Sequence, residues 1–237
     1  MKLFAIGDLH LSYGVDKPMS LFGPNWEAHD QKIKKAWEEI VSAEDVVLIP
    51  GDLSWGMRFS EAEKDLKWLE ALPGYKICIR GNHDYWWDRP GKLNKCYRTL
   101  YFLQNKGYLL GEKAICGTRG WLSPGTDYFT AEDQKLYLRE LERLKLSLED
   151  GLKKGAKEIW VMLHYPPAAV GMTNSPLIEL LKAYPVTRVI YGHLHDEASW
   201  QSALQGEYDG IVYQLVSADY LNFKLVELKE NKGINGE

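Results

Sequence analysis

Eight polar side chains stand at the ends of apolar runs in this sequence: Asp8, His10, Asp52, Asn82, His83, His164, His193 and His195. Five of the chain's six histidines belong to this set, with only His29 outside it, whereas random placement would scatter them. Carboxylate, amide and imidazole are the side chains that bind metal ions or carry protons. Three oxygen ligands and several imidazoles exceed what one divalent ion needs and suit two ions sharing a bridging carboxylate. Mixed nitrogen and oxygen donors favour Mn, Fe, Zn or Co, because calcium prefers oxygen alone and structural zinc prefers cysteine. Two ions ~3.5–4 Å apart clamp the attacking and leaving oxygens of an in-line displacement, and they bring a bound water to hydroxide near neutral pH. The natural substrate of such a centre is a phosphate ester.

Taken singly, the pieces are ambiguous. Asp8 and His10 flank Leu9 and share one side of an extended segment, as a turn carboxylate and a solvated imidazole also would. The stretch Arg80-Gly81-Asn82-His83-Asp84 is the most pointed, setting three chemically active side chains on one turn. The neighbouring Asp84 is one candidate to orient His83, a choice the sequence leaves open. Trp55, Trp86 and Trp87 lie beside these turns and either stack on a substrate base or pack under the loops, the simpler reading. Arg58 and Arg119 are candidate phosphate contacts in loops. Arg80 is read as structural, and His29 as a surface or capping residue.

The elements that must position these groups are strands whose carboxyl ends converge. Lys2–Ile6, Asp45–Ile49 and Tyr75–Ile79 read as buried strands. Helices over about 27–41 and 60–72 separate them. Ile33, Trp37, Ile40 and Val41 mark the core face of the first, and Ser60 with Glu63 forms a capping box on the second. Strand, helix, strand, helix, strand is the order of a parallel sheet with right-handed crossovers, which binds ligands at its strand ends. Residues 11–26 read as a loop. Short runs over 101–103, 107–110 and 113–116 read as strands, with antiparallel pairing expected. A long helix over about 131–154 carries Leu136, Leu141, Leu144, Leu148 and Leu152 as its buried stripe. A strand over 158–163 ends in His164, a helix follows over about 176–183, and a strand over 186–191 ends in Gly192-His193-Leu194-His195. Segments 211–217 and 222–228 read as a terminal hairpin, and the polar residues 230–237 as a frayed end.

The 237 residues, 45% hydrophobic and 26% charged, are ordinary for a soluble globular protein and fit one domain. A net charge of −4 gives no long-range attraction to nucleic acid or anionic membranes. Cys78, Cys96 and Cys116 lack paired spacing and read as free buried thiols of a reducing cytosol. The opening segment meets Asp8 too soon for a signal peptide, and no apolar run approaches the ~18 residues of a membrane span. A cytoplasmic location is the expectation.

Asp8-Leu9-His10, Gly51-Asp52, Gly81-Asn82-His83-Asp84, the strand-ending His164 and Gly192-His193-Leu194-His195 together resemble the calcineurin-like metallophosphoesterases, with all five blocks in order between residues 8 and 195. The resemblance implies an α/β fold, a two-sheet β-sandwich of mixed strands flanked by helices. It implies one metal on Asp8, His10, Asp52 and His195, and a second on Asp52, Asn82, His164 and His193. A metal-bridging hydroxide would attack phosphorus while His83 assists the leaving group. Leu53-Ser54-Trp55 after Asp52 departs from the Asp-Arg-Gly continuation of the protein serine/threonine phosphatases, and the Gly-Asn-His-Asp form is closer to bacterial-type phosphohydrolases. Lipid-precursor pyrophosphatases of the superfamily usually lack a histidine at the place of His83. The implied substrate is a small phosphate mono- or diester, a nucleotide among the candidates, with no stable nucleic-acid or membrane partner. The alternatives are a non-catalytic scaffold on the same fold, although no ligand is missing here, and an amidohydrolase, although those open with His-x-His.

Overall fold

A computed structural model describes residues 1–126 and 128–229 of the chain; the expectation for residues 230–237 lies outside them. The chain forms two β-sheets packed face to face with helices on both outer faces, an α/β sandwich. In the first sheet, β1 (Leu3–Ala5), β2 (Val46–Ile49), β3 (Tyr75–Cys78) and β4 (Leu100–Phe102) run parallel, and β11 (Val226–Glu227) pairs antiparallel with β1. The second sheet has the order β5 (Tyr108–Leu110), β6 (Lys113–Thr118), β7 (Glu158–Leu163), β8 (Val186–Tyr191), β10 (Ile211–Leu215), β9 (Gly206–Tyr208). Its four central strands are parallel and its two edges antiparallel.

The period-two alternation of each strand sorts its residues between two cores. Ala5, Leu48, Ile77, Ile115, Met162 and Ile190 fill the space between the sheets. Phe4, Val47 and Ile49 face outward onto α1 (His29–Ile40) and α2 (Phe59–Ala71), where Ile33, Trp37, Leu66 and Leu69 meet them. Val161, Leu163 and Val189 face the other way onto α4 (Ala131–Lys153) and α5 (Pro176–Lys182). A short α3 (Pro90–Leu93) and α6 (Glu197–Gln201) complete the helices, and two 3₁₀ turns occupy Met19–Phe22 and Pro24–Trp26 within the expected loop.

Several expectations need correction. The run at 101–103 is a parallel partner of β3, not an antiparallel strand. The last two runs do not form a hairpin: β10 joins the second sheet beside β8, and β11 closes the edge of the first. Ile40 is exposed, because α1 ends there and Val41 turns inward instead. Arg58, not Ser60, begins α2; Glu61 Oε2 accepts the backbone N–H of Met57 at 2.8 Å and of Arg58 at 3.2 Å. On α4 the buried stripe is Tyr137, Glu140, Leu144, Ser147, Leu148 and Gly151, while Leu152 faces solvent. Cys78 and Cys116 are buried free thiols, but Cys96 is exposed. Among the described residues no helix is long and apolar enough to cross a membrane.

Candidate metal centre

The carboxyl ends of β1, β2, β3, β7 and β8 meet at one edge of the sandwich, and every sequence-predicted ligand is there. Asp52 Oδ2 lies 3.7 Å from His10 Nε2 and 3.4 Å from His164 Nε2. Asp8 Oδ1 lies 3.6 Å from His195 Nε2 and 3.8 Å from His164 Nδ1. Asn82 Oδ1 faces both His164 Nε2, at 2.6 Å, and His193 Nδ1, at 3.0 Å. Two overlapping groups have donor atoms mutually within 4.8 Å, Asp8 with His10 and His195, and Asp8 with Asp52 and His164.

Local backbone geometry makes this convergence possible. Asp8, His10, Asp52 and His193 all adopt left-handed backbone, with φ of 56°, 45°, 53° and 74°. Non-glycine residues rarely tolerate that region, and strain of this sort gathers where a fold holds functional groups. Glycines open the space between the turns. A Cβ on Gly192 would stand 2.3 Å from Asp8 Oδ2, one on Gly81 2.0 Å from Asp52 Oδ1, and one on Gly51 2.8 Å from His164 Nδ1.

Asp84, one of the groups that the sequence offered for orienting His83, does a different job. Its buried carboxylate accepts N–H bonds from Gly81 (2.8 Å), Asp52 (2.9 Å), Leu53 (3.0 Å), Ser54 (3.2 Å) and the Trp86 indole (3.1 Å). It clamps the turn after β3 to the turn after β2. The residue missed in the sequence is Asp219, whose carboxylate accepts from His195 Nδ1 at 3.1 Å and fixes that ring. It lies beyond β10, in a segment whose strand signal ends two residues earlier and whose Asp has no histidine neighbour to draw attention. His164 Nδ1 faces the Pro50 carbonyl at 3.0 Å, which leaves Nε2 free to face the centre. Carboxylates and carbonyls of this kind behind an imidazole orient metal-binding histidines.

Burial and mutual charge set the protonation states. For Asp8, burial opposes ionisation, but the His195 hydrogen bond and charge and the His164 charge outweigh it, leaving the carboxyl at about 2. Asp52 is likewise held below the usual range, burial being outweighed by His164 and His10. Burial lowers His10 and His193 to about 3, so both rings are neutral. His195 rises to about 10: burial opposes its charge, and the carboxylates of Asp219 and Asp8 overcome that. Burial, then the Asp52 charge, pushes Asp84 up to about 7, against the pull of its N–H donors.

The donor set fits divalent metal. The carboxylates are ionised, and His10 and His193 are neutral as ligands must be. Against burial, the carboxylates of Asp52, Asp8 and Asp219 raise His164 and His195, whose protons a bound metal would displace. His10 Nδ1 is buried without a hydrogen-bond partner. The glycine-lined cradle holds these donors together where a larger residue would drive them apart. His83 stands at the rim, its ring 4.3 Å from Trp55 and 5.6 Å from His10, with its backbone N–H bound to Asp52 Oδ1 at 2.8 Å. Burial lowers its pKa, with the Asp52 charge acting in the opposite direction. Trp55 stacks on His10 at 4.8 Å, so it walls the centre, whereas Trp86 and Trp87 belong to the core.

His29 is not a surface group. It is buried, 3.0 Å from the Leu9 carbonyl through Nε2, and so braces the segment between Asp8 and His10. Arg80 Nε donates to the Asp84 carbonyl at 3.0 Å, in keeping with a structural part. Arg58 is exposed at the start of α2, and Arg119 lines a cavity beside α4 together with Arg80.

Residues 1–197 match the family described as calcineurin-like phosphoesterase. Gene 66 protein of Mycobacterium phage L5 is 35% identical over 32% of this chain and 37% of its own length. A probable cyclic nucleotide phosphodiesterase of Synechococcus sp. is 28% identical over 63% of this chain and 53% of its own length. The chain thus spans about a third to a half of these curated relatives. The crystal structure of phosphopantetheinyl hydrolase from Mycobacterium tuberculosis superimposes with a TM-score of 0.59 at 15% identity, over 100% of this chain and 98% of that one, a likeness of fold.

Proposed function

Because the chain belongs to the calcineurin-like phosphoesterase family, we propose that it hydrolyses phosphate mono- or diesters at a centre of two divalent metal ions. The observation that carries this reading is Asp52, whose Oδ2 lies 3.7 Å from His10 Nε2 and 3.4 Å from His164 Nε2. In this reading Asp8, His10, Asp52 and His195 hold one ion, and Asp52, Asn82, His164 and His193 hold the other, with Mn, Fe, Zn or Co as occupants. Bound there, the ions supply an activated water for attack on phosphorus and neutralise charge developing on the phosphoryl oxygens.

The chain's own residues do the rest. Asp84 holds the Asp52 and Gly81 turns in register, and Asp219 keeps His195 Nε2 turned inward. His83, at the rim and outside the ligand set, carries the proton that the leaving oxygen takes. Trp55 shields the His10 side of the centre from bulk water. The substrate is a small phosphate ester, with a nucleotide as one candidate in view of the cyanobacterial relative.

The test is hydrolysis of aryl phosphate mono- and diesters and of nucleotide esters with added Mn²⁺. We expect turnover well above a chelated control for at least one class. No metal-dependent turnover on any of them would refute the reading.

A further inference from the structure

A second charged cavity opens where the ends of β3, β4 and β6 meet α4, beside the metal centre and distinct from it. Its volume is about 150 Å³, and Arg80, Arg119, Arg139, Arg143, Thr118 and Glu140 line it. Arg80 comes from the turn after β3 and Arg119 from the end of β6. Arg139 and Arg143 lie one turn apart on α4.

Glu140 is the one carboxylate in this wall, and it is 1% exposed. Its Oε1 faces Arg143 Nη1 at 2.8 Å, Arg139 Nη2 at 3.4 Å and Arg119 Nη2 at 4.0 Å. Its Oε2 accepts from Thr118 Oγ1 at 2.6 Å. Three guanidiniums thus face a single negative charge, and Arg80 lines the same cavity, in a chain whose net charge is −4. Arg119 Nε is buried without an acceptor among the described residues. Burial and the neighbouring Arg80 and Arg139 lower its pKa, against the pull of Glu140. With Arg139 47% and Arg143 34% exposed, an anion can reach the cluster from solvent, and the buried Arg119 Nε is a donor whose cost an anion there would relieve.

We propose that this cavity is an oxyanion site for a phosphate or sulfate group. Planar guanidinium forks match the edges of a tetrahedral oxyanion two bonds at a time. Pockets for whole drug-sized ligands run to roughly 300–1,000 Å³, so this one takes a small anion or one phosphoryl substituent, not an entire nucleotide. The site communicates with the metal centre through backbone: the Arg119 carbonyl accepts the N–H of His164 at 3.0 Å and of Tyr165 at 2.9 Å, and Arg80 directly precedes Gly81 and Asn82. Its occupant is either a free oxyanion or the distal phosphate of a substrate whose scissile phosphate lies at the metals.

Calorimetric titration with inorganic phosphate tests the proposal without reference to turnover. The full chain carrying Asp52→Asn, handled in chelator, disables the metal centre while leaving the arginines intact. It is expected to bind one phosphate, and adding Arg139→Gln and Arg143→Gln is expected to weaken that binding at least roughly tenfold. Absence of phosphate binding by Asp52→Asn overturns the proposal, and that arm does not depend on the folding of the arginine variants. In otherwise native, Mn²⁺-loaded protein, Arg139→Gln with Arg143→Gln is expected to leave aryl monophosphate hydrolysis unchanged. A KM that rises only for a nucleoside bisphosphate assigns the site to the substrate; lost sensitivity of turnover to added phosphate assigns it to a free anion. No change in either respect overturns it.

Discussion

In the proposed reaction Asp52 is the residue on which the chemistry would turn, and its neighbours divide into those that would bind metal and those that would hold the binders still. We expect Asp52→Asn to lose bound metal, by elemental analysis, together with hydrolysis. His83→Ala should keep its metal and lose about 10²- to 10⁴-fold in kcat, the usual range for a positioned proton donor. A His83→Ala protein found empty of metal would place His83 among the ligands. Asp84→Ala leaves five buried N–H groups without their acceptor. Denaturant unfolding should register a loss of at least ~3 kcal/mol, the tail of the single-substitution range where such networks lie. The convergence of the proposed ligand residues was legible in the sequence because each ends an apolar run next to glycine or a second polar group. Asp84 was legible as a residue but not in its task, since adjacency to His83 along the chain says nothing of direction across a tight turn. Asp219 gave no local signal, because a carboxylate that orients an imidazole needs only proximity in space.

Among the elements, Lys76 on β3 shows how a helix end and a strand are tied. Its buried ammonium reaches the Leu72 and Glu70 carbonyls at the end of α2 and Thr99 Oγ1 before β4. These are carbonyls that a helix leaves unpaired. Burial lowers its pKa from 10.5 to about 8. Between those values the folded chain has released this proton and the unfolded chain still holds it, so stability rises with pH across the window. The penalty is in full force below pH 8 and gone above pH 10.5. Chemical unfolding against pH should show wild type gaining on Lys76→Met through that interval, by no more than about 3 kcal/mol. A constant gap would mean that Lys76 does not titrate there. The strands of the parallel core were readable from apolar runs alone. The pairing of β4 and β11 was not, because a three- or two-residue edge strand carries too little pattern to say which sheet it joins, or in which direction. Likewise Glu140 joins the buried stripe of α4 unforeseen, because its partners are Arg139 and Arg143 on the same helix and Thr118 and Arg119 at the end of β6, far off in sequence.

For the molecule as a whole, the proposed ligands come from both sheets: Asp8, His10, Asp52 and Asn82 follow strands of the first, and His164, His193 and His195 follow strands of the second. Metal would therefore staple sheet to sheet. Chelation is expected to lower the melting temperature, and saturating Mn²⁺ to raise stability by ~2.7 kcal/mol at a hundredfold excess over its dissociation constant. An unchanged melting curve would mean that the folded chain binds no metal in preference to the unfolded one.

The left-handed turns at Asp8, His10, Asp52 and His193 have a consequence for how this protein can change. An L-residue in that region forfeits ~1–2 kcal/mol that glycine would not. At each of these four positions glycine should therefore melt higher than alanine, while both discard the donor. Any search for heat-resistant variants that scores melting alone will drift toward glycine here and dismantle the centre, so thermal selection of this chain has to be coupled to a readout of bound metal.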